Sequence, residues 1–152
     1  MAYTTADARQ QLLDGLAEAI DEIAHALASL GEAYEQLDEQ KAEELEQGLF
    51  RPVQMAYGRA KRTHAEFARR HGLPARPFEP AAPRAPSQGI KGFLSIAVEA
   101  VGKADQSLAT LQDSMLPIEV GDVELRAGLE DVRRLIAGLP EQARQLLRTL
   151  GR

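Results

Sequence analysis

The 152-residue chain has no cysteine and no tryptophan, and only four phenylalanines and three tyrosines. Without cysteine there is no disulfide, no thiolate metal ligand and no cysteine nucleophile. That usage fits a reducing compartment, and a cytoplasmic location is expected. β-Branched residues are sparse, and no strand pattern, internal repeat or glycine-rich phosphate loop can be found. No apolar run approaches the roughly 18 residues that a membrane-spanning helix needs. The N-terminal MAYTTADARQQ lacks a basic stretch followed by an apolar one, so no secretory leader is expected. G-x-S-x-G is absent, and the serines at 29, 87, 95, 107 and 114 occupy ordinary helix or linker positions, which leaves nucleophilic hydrolysis without support.

What is abundant is Ala, Leu, Glu, Gln and Arg, the strongest helix formers. With 44% hydrophobic and 27% charged residues the chain is globular, and its length suits one domain. The expected fold is all-α: an antiparallel four-helix bundle over residues 1–152, with one long N-terminal helix and a Pro-rich crossover (73–91) between helices two and three. A net charge of −5 argues against nonspecific nucleic-acid binding, which rests on phosphate neutralisation.

Helix one is expected from about Thr5 to Gln47, with Thr4 or Thr5 as N-cap and Asp7 in the first turn. Leu13, Leu16, Ile20, Ile23, Leu27, Leu30, Tyr34 and Leu37 recur at alternating spacings of three and four, a coiled-coil-like seam. Gly31 falls inside it. Gly48 followed by Pro52 reads as a hairpin, with Gly48 just past one helix and Pro52 opening the next; the alternative is one continuous helix kinked at Pro52. Helix two then runs to His71 and stops at Gly72. Five of the eight prolines (74, 77, 80, 83 and 86) follow, and Phe78 is the only large apolar residue among them. Helix three spans about Gly92 to Leu116, before Pro117. Helix four starts at the N-cap Asp122, with Pro140 opening a further segment.

The sequence YGRAKRTHAEFARRHG (57–72) concentrates five Lys/Arg and two His. A 100° advance per residue puts Val53, Ala56, Tyr57, Ala60, His64, Phe67 and His71 on one buried face. Arg51, Arg62 and Arg69 lie opposite, and Arg59 and Arg70 lie on a shoulder. Residues 32–46 hold seven acids against Lys41, and a hairpin at 48–52 would set those acids level with the basic run. A solvated or acid-matched face is therefore expected, and no nucleic-acid partner.

Several polar residues interrupt apolar faces. Tyr34, Asp38, Tyr57, His64, Asp105 and Gln112 occupy seam positions, with Arg133 near a margin. A buried carboxylate must be paired or hydrogen-bonded. One shared polar cluster is therefore expected, as a hydrogen-bonded network that fixes the register of the bundle or, alternatively, as a ligand-binding site made of those six residues. A metal, if one binds, would use Asp38, His64 and Asp105. The Glu22-x-x-His25 spacing resembles a di-iron half-motif but has no second copy, and both residues face away from the seam, towards solvent.

The function expected from these features is that of a non-catalytic helical interaction, scaffold or self-assembling protein, with no cofactor. Its partners would be a second copy of the chain, as a homodimer, or another protein. The dimer is expected because the first half of a 43-residue helix one, Leu12 to Leu27, would outrun helix two and need cover. The alternatives are a ligand- or metal-binding bundle, with or without enzymatic activity, and an amphipathic lipid-surface helix at 125–150. Membrane binding is not expected.

Overall fold

The computed structural model describes residues 4–83 and 89–150. They are all-helical, with no strand among the described residues. The elements are α1 (Thr5–Glu35), α2 (Glu39–Leu45), a π turn (Glu46–Phe50), α3 (Arg51–Arg70), α4 (Gly89–Asp113), α5 (Leu116–Glu119), α6 (Val123–Ile136) and α7 (Leu139–Leu150). The middle of the expected crossover, 84–88, lies outside the described residues.

Local chemistry sets most of the boundaries. Thr4 caps α1 through a capping box, its Oγ1 accepting from Asp7 N while Asp7 Oδ2 accepts from Thr4 N. At the end of α3, Gly72 takes φ +67° and Leu73 N donates to Ala68 O, a Schellman-type stop. Asp122 caps α6, with Oδ1 accepting from Leu125 N. Helix three of the sequence reading ends sooner than expected, at Asp113. Met115, with φ 70°, turns the chain, and Pro117 sits inside the first turn of α5 rather than closing α4.

The first chain reversal is the main correction. It lies at Gln36–Asp38, not at Gly48–Pro52. Asp38 is not a seam residue; it caps α2, accepting from Lys41 N at 2.9 Å. The heptad phase runs on past Leu30 by coincidence, and Asp38 followed by Glu39 was the N-cap signal it masked. Gly48 and Pro52 do not end a helix. Pro52 has no N–H for the carbonyl four residues back, and its ring would clash there. The chain absorbs this with one extra residue in the turn, so that Arg51 N–H reaches Glu46 O, and the helix continues into α3.

One apolar core joins all the long helices. It runs from Leu12, Leu13, Leu16, Ile20 and Ile23 of α1, through Val53, Ala60 and Phe67 of α3, to Leu94 and Leu108 of α4 and Leu125, Val132 and Ile136 of α6. Contacts between α1 and α4 run from Gly15 on Leu111 to Gln36 at Gly89. Those between α3 and α6 run from Arg59 on Asp131 to Arg70 on Asp122. The N-terminal half of α1 is fully covered within one chain, since Leu12 through Ile23 of the seam expose no surface. The reason for expecting a second copy therefore falls away, because helix one ends at Glu35 and leaves no overhang.

Candidate functional site

The six expected site residues do not form one cluster. Asp38 is exposed at the start of α2, and Tyr34 is exposed nearby. Tyr57 is half-buried on α3, and its Oη has no hydrogen-bond partner among the described residues. His64 is buried seven residues, about two helical turns, further along. Asp105 and Gln112 are brought together, but by a cation: Arg133 Nε and Nη2 reach Asp105 Oδ1 and Oδ2 at 2.8 and 3.2 Å, and Nη1 reaches Gln112 Oε1 at 2.8 Å. Asp38, His64 and Asp105 thus have separate partner sets. Among the described residues no three His, Asp or Glu side chains are grouped to hold a metal ion. The misplacement of Asp38 follows from the misplaced hairpin.

Arg133 lies in a groove of about 500 Å³ between α4 and the α6–α7 joint, with Val101, Ile136 and Pro140 as its apolar floor. Each of its three nitrogens donates one of these bonds, so the fork ties α6 to α4. The pair is about 40% exposed on the Asp105 side, where an ion pair contributes only a few tenths to about 1 kcal/mol.

The segment 73–83 is a non-helical strap held by side chains; among the described residues no backbone–backbone hydrogen bond ties 74–83. Phe78 meets the buried His64 ring edge-on, Arg76 stacks over Phe78 at 4.6 Å, and Arg76 Nη2 pairs with Asp21 at 3.0 Å. Burial holds the His64 imidazole below its ordinary pKa, and the Arg76 charge adds to the effect. Asp14 and the Leu13 backbone oppose it without prevailing.

The basic stretch of α3 divides as its helical phase requires. His64 and Phe67 point inward. Its shoulder arginines meet acids, but on α6 rather than on 32–46: Arg59 Nε to Asp131 Oδ2 at 3.1 Å, and Arg70 bidentate to Asp122 at 2.8 Å. The acids of 39–46 precede α3 on the same helical rod and cannot lie opposite it. Glu22 and His25, expected in solvent, are half-buried. Glu22 Oε2, His25 Nδ1 and Ser29 Oγ, on one stripe of α1, are buried with no hydrogen-bond partner among the described residues. Glu22 borders α4 at Lys103 and Ser107, an approach that phase within α1 alone does not reveal.

Sequence reading passed over the α4–α6 turn. Met115, Ile118 and Val123 are 46, 60 and 67% exposed, three of the five large apolar residues so exposed among those described. The turn that carries them is fixed from several sides. Arg9 Nε donates to Val120 O and Arg126 Nη1 to Pro117 O, both at 3.0 Å. Asp122 accepts from Arg70, His71 Nε2 and Leu125 N. Burial acts to raise the Asp122 pKa, but the hydrogen bonds from Arg70, Leu125 N–H and His71 outweigh it and lower the value to about 2. A Cβ on Gly121 would lie 2.3 Å from Pro117 O, so the turn is closely packed. The signal available in the sequence was MLPIEVGDV itself, an apolar run between two capped helices. Comparison with protein-family models, with curated proteins and with solved structures finds no match for this chain.

Proposed function

We propose that this chain is a non-catalytic protein-interaction module, an antiparallel four-helix bundle whose contact surface is the α4–α6 turn. The observation that carries the reading is the exposure of Met115, Ile118 and Val123 on a closely clamped turn. Exposed apolar groups that cluster mark contact surfaces more often than single ones do. A turn already fixed loses little freedom on binding. The Met115 backbone, at φ 70° without being glycine, carries a conformational cost that the surrounding contacts sustain.

Charge selects the kind of partner. Asp113, Glu119 and Glu124 are exposed around the turn. The neighbouring cations Arg9, Arg70 and Arg126 are engaged by Val120 O, Asp122 and Pro117 O. The surface is therefore apolar with an acidic rim. It fits a protein cleft bordered by Lys and Arg and repels phosphate backbones and anionic lipid. A different protein is a better occupant than a second copy, because the core of one chain is already covered.

The reading is tested by cross-linking mass spectrometry in the native cell, comparing wild type with Met115→Ser/Ile118→Ser/Val123→Ser. A stoichiometric partner, cross-linked beside residues 113–124 and lost in the variant, is the expected outcome. Partners that persist in the variant would remove the turn from the function.

A further inference from the structure

We propose that the strap is itself a ligand: an exposed polyproline II ridge over 74–83 that docks into an aromatic-lined groove of a partner protein, separately from the α4–α6 turn. The stretch PARPFEPAAPRAP (74–86) places proline at 74, 77, 80, 83 and 86, every third residue without a break. Polyproline II has three residues per turn, so this period sets the rings along one edge. Proline fixes its own φ near −65°, and the residue before a proline is held in the extended region. Two of every three positions from Leu73 to Pro83 are therefore confined to this geometry. Among the described residues no backbone–backbone hydrogen bond ties 74–83, as suits polyproline II, which has none of its own.

Burial follows the same period. Phe78 and Ala81, three residues apart, are the half-buried positions of 74–83. Phe78 meets the His64 ring with centroids 5.0 Å apart, and Arg76 stacks over Phe78 and pairs with Asp21 at 3.0 Å. These contacts seat one edge of the strap on α1 and α3. Pro74, Pro77, Pro80 and Pro83 form a second edge, and all four are exposed. A spacer needs only stiffness, which prolines at any interval supply. A continuous edge of open rings goes beyond that need, and it is the chemistry that aromatic-lined grooves read. The ridge is already extended and pinned at Phe78, so docking loses little chain entropy. This chain has no tryptophan and only three tyrosines, at positions 3, 34 and 57, so the groove belongs to a different protein.

The test is an array of proline-reading SH3 and WW domains probed with the full labelled chain, followed by titration of every domain that binds. Saturable binding to a subset is expected. It should weaken about tenfold or more in Pro77→Ala/Pro80→Ala, since each change removes about two methylene groups from the docked edge. That variant keeps Arg76, Phe78 and their contacts, so its helical circular dichroism should match wild type. Pro74→Ala/Pro83→Ala, at the ends of the ridge, reads the same edge a second time and should also weaken binding. Met115→Ser/Ile118→Ser/Val123→Ser should bind the same domains as wild type does, which keeps a failure of this site distinct from a failure of the turn. Replacing the groove's aromatic residues by Ala in the bound domain should abolish the interaction. No domain bound, or equal affinity for wild type and both proline variants, overturns the proposal.

Discussion

Phe78 of the strap meets His64 of α3 edge-on, with ring centroids 5.0 Å apart and planes at 85°. This contact and the Arg76–Asp21 pair fasten a segment that has no ladder or helix of its own. The groups that bear on His64 are Asp14 and the Leu13 backbone of α1 and Arg76 of the strap. Protonating His64 would place a second cation beside Arg76 in a site with little water. His64 has a lowered pKa in the folded chain, so its contribution to stability is complete above the ordinary value near 6.5. It is lost as the pH falls through the folded value. The melting temperature is therefore expected to drop on acidification below about pH 6.5. His64→Leu should remove that part of the pH dependence, and Phe78→Ala should shrink it. A His64→Leu profile parallel to wild type would contradict this account of the strap.

Asp122 joins the C-terminal end of α3 to the start of α6. Its carboxylate caps α6 and receives Arg70 and His71 at 2.8 and 3.0 Å. With a pKa lowered to about 2, its stabilisation is present above the ordinary value of 3.8 and is lost as pH falls towards 2. Asp122→Ala removes the cap and leaves two donors unpaired, at an expected cost of about 2 kcal/mol at neutral pH. Urea denaturation at neutral pH and near pH 2.5 checks both parts. The gap between variant and wild type should narrow in acid.

Two glycines should respond in opposite directions to the same change. A Cβ on Gly31 of α1 meets nothing within 4 Å, so Gly31→Ala should stabilise by about 0.5–1 kcal/mol through helix propensity and reduced unfolded-state freedom. A Cβ on Gly128 of α6 would fall 2.2 Å from Thr63 Oγ1 and 2.6 Å from its Cγ2. Thr63 is buried and its hydroxyl donates to Arg59 O at 2.8 Å, so it cannot swing aside freely. Gly128→Ala should destabilise by about 1–3 kcal/mol. Adding Thr63→Ala should recover part of that loss, and thermal melts of the double-mutant cycle measure the coupling.

Much of the fold was legible because it is written in local chemistry. Thr4 with Asp7, Gly72 with Leu73, and Asp122 all mark helix ends that side chains within a few residues decide. Gly48 and Pro52 misled because the same two residues suit either a hairpin or a π turn. The choice depends on whether the helix beyond has a core to reach, which only tertiary packing settles. The site was less legible than the fold. Periodicity showed that Asp105, Gln112 and Arg133 lie near apolar faces. It could not show that the guanidinium gathers the other two. Glu22 and His25 looked solvated because the approach of α4 lies outside the sequence of α1. Met115, Ile118 and Val123 were missed because a short apolar turn carries no period.

The central claim, that the α4–α6 turn is the contact surface, is most directly tested by selecting binders from a random peptide library against the wild-type chain. Their contacts are then mapped by NMR chemical-shift perturbation. Selected peptides should combine apolar residues with Lys or Arg, shift resonances within 113–124, weaken with added salt, and lose binding to Met115→Ser/Ile118→Ser/Val123→Ser. Binders that map to another face, or that hold the triple variant as tightly as wild type, would contradict it.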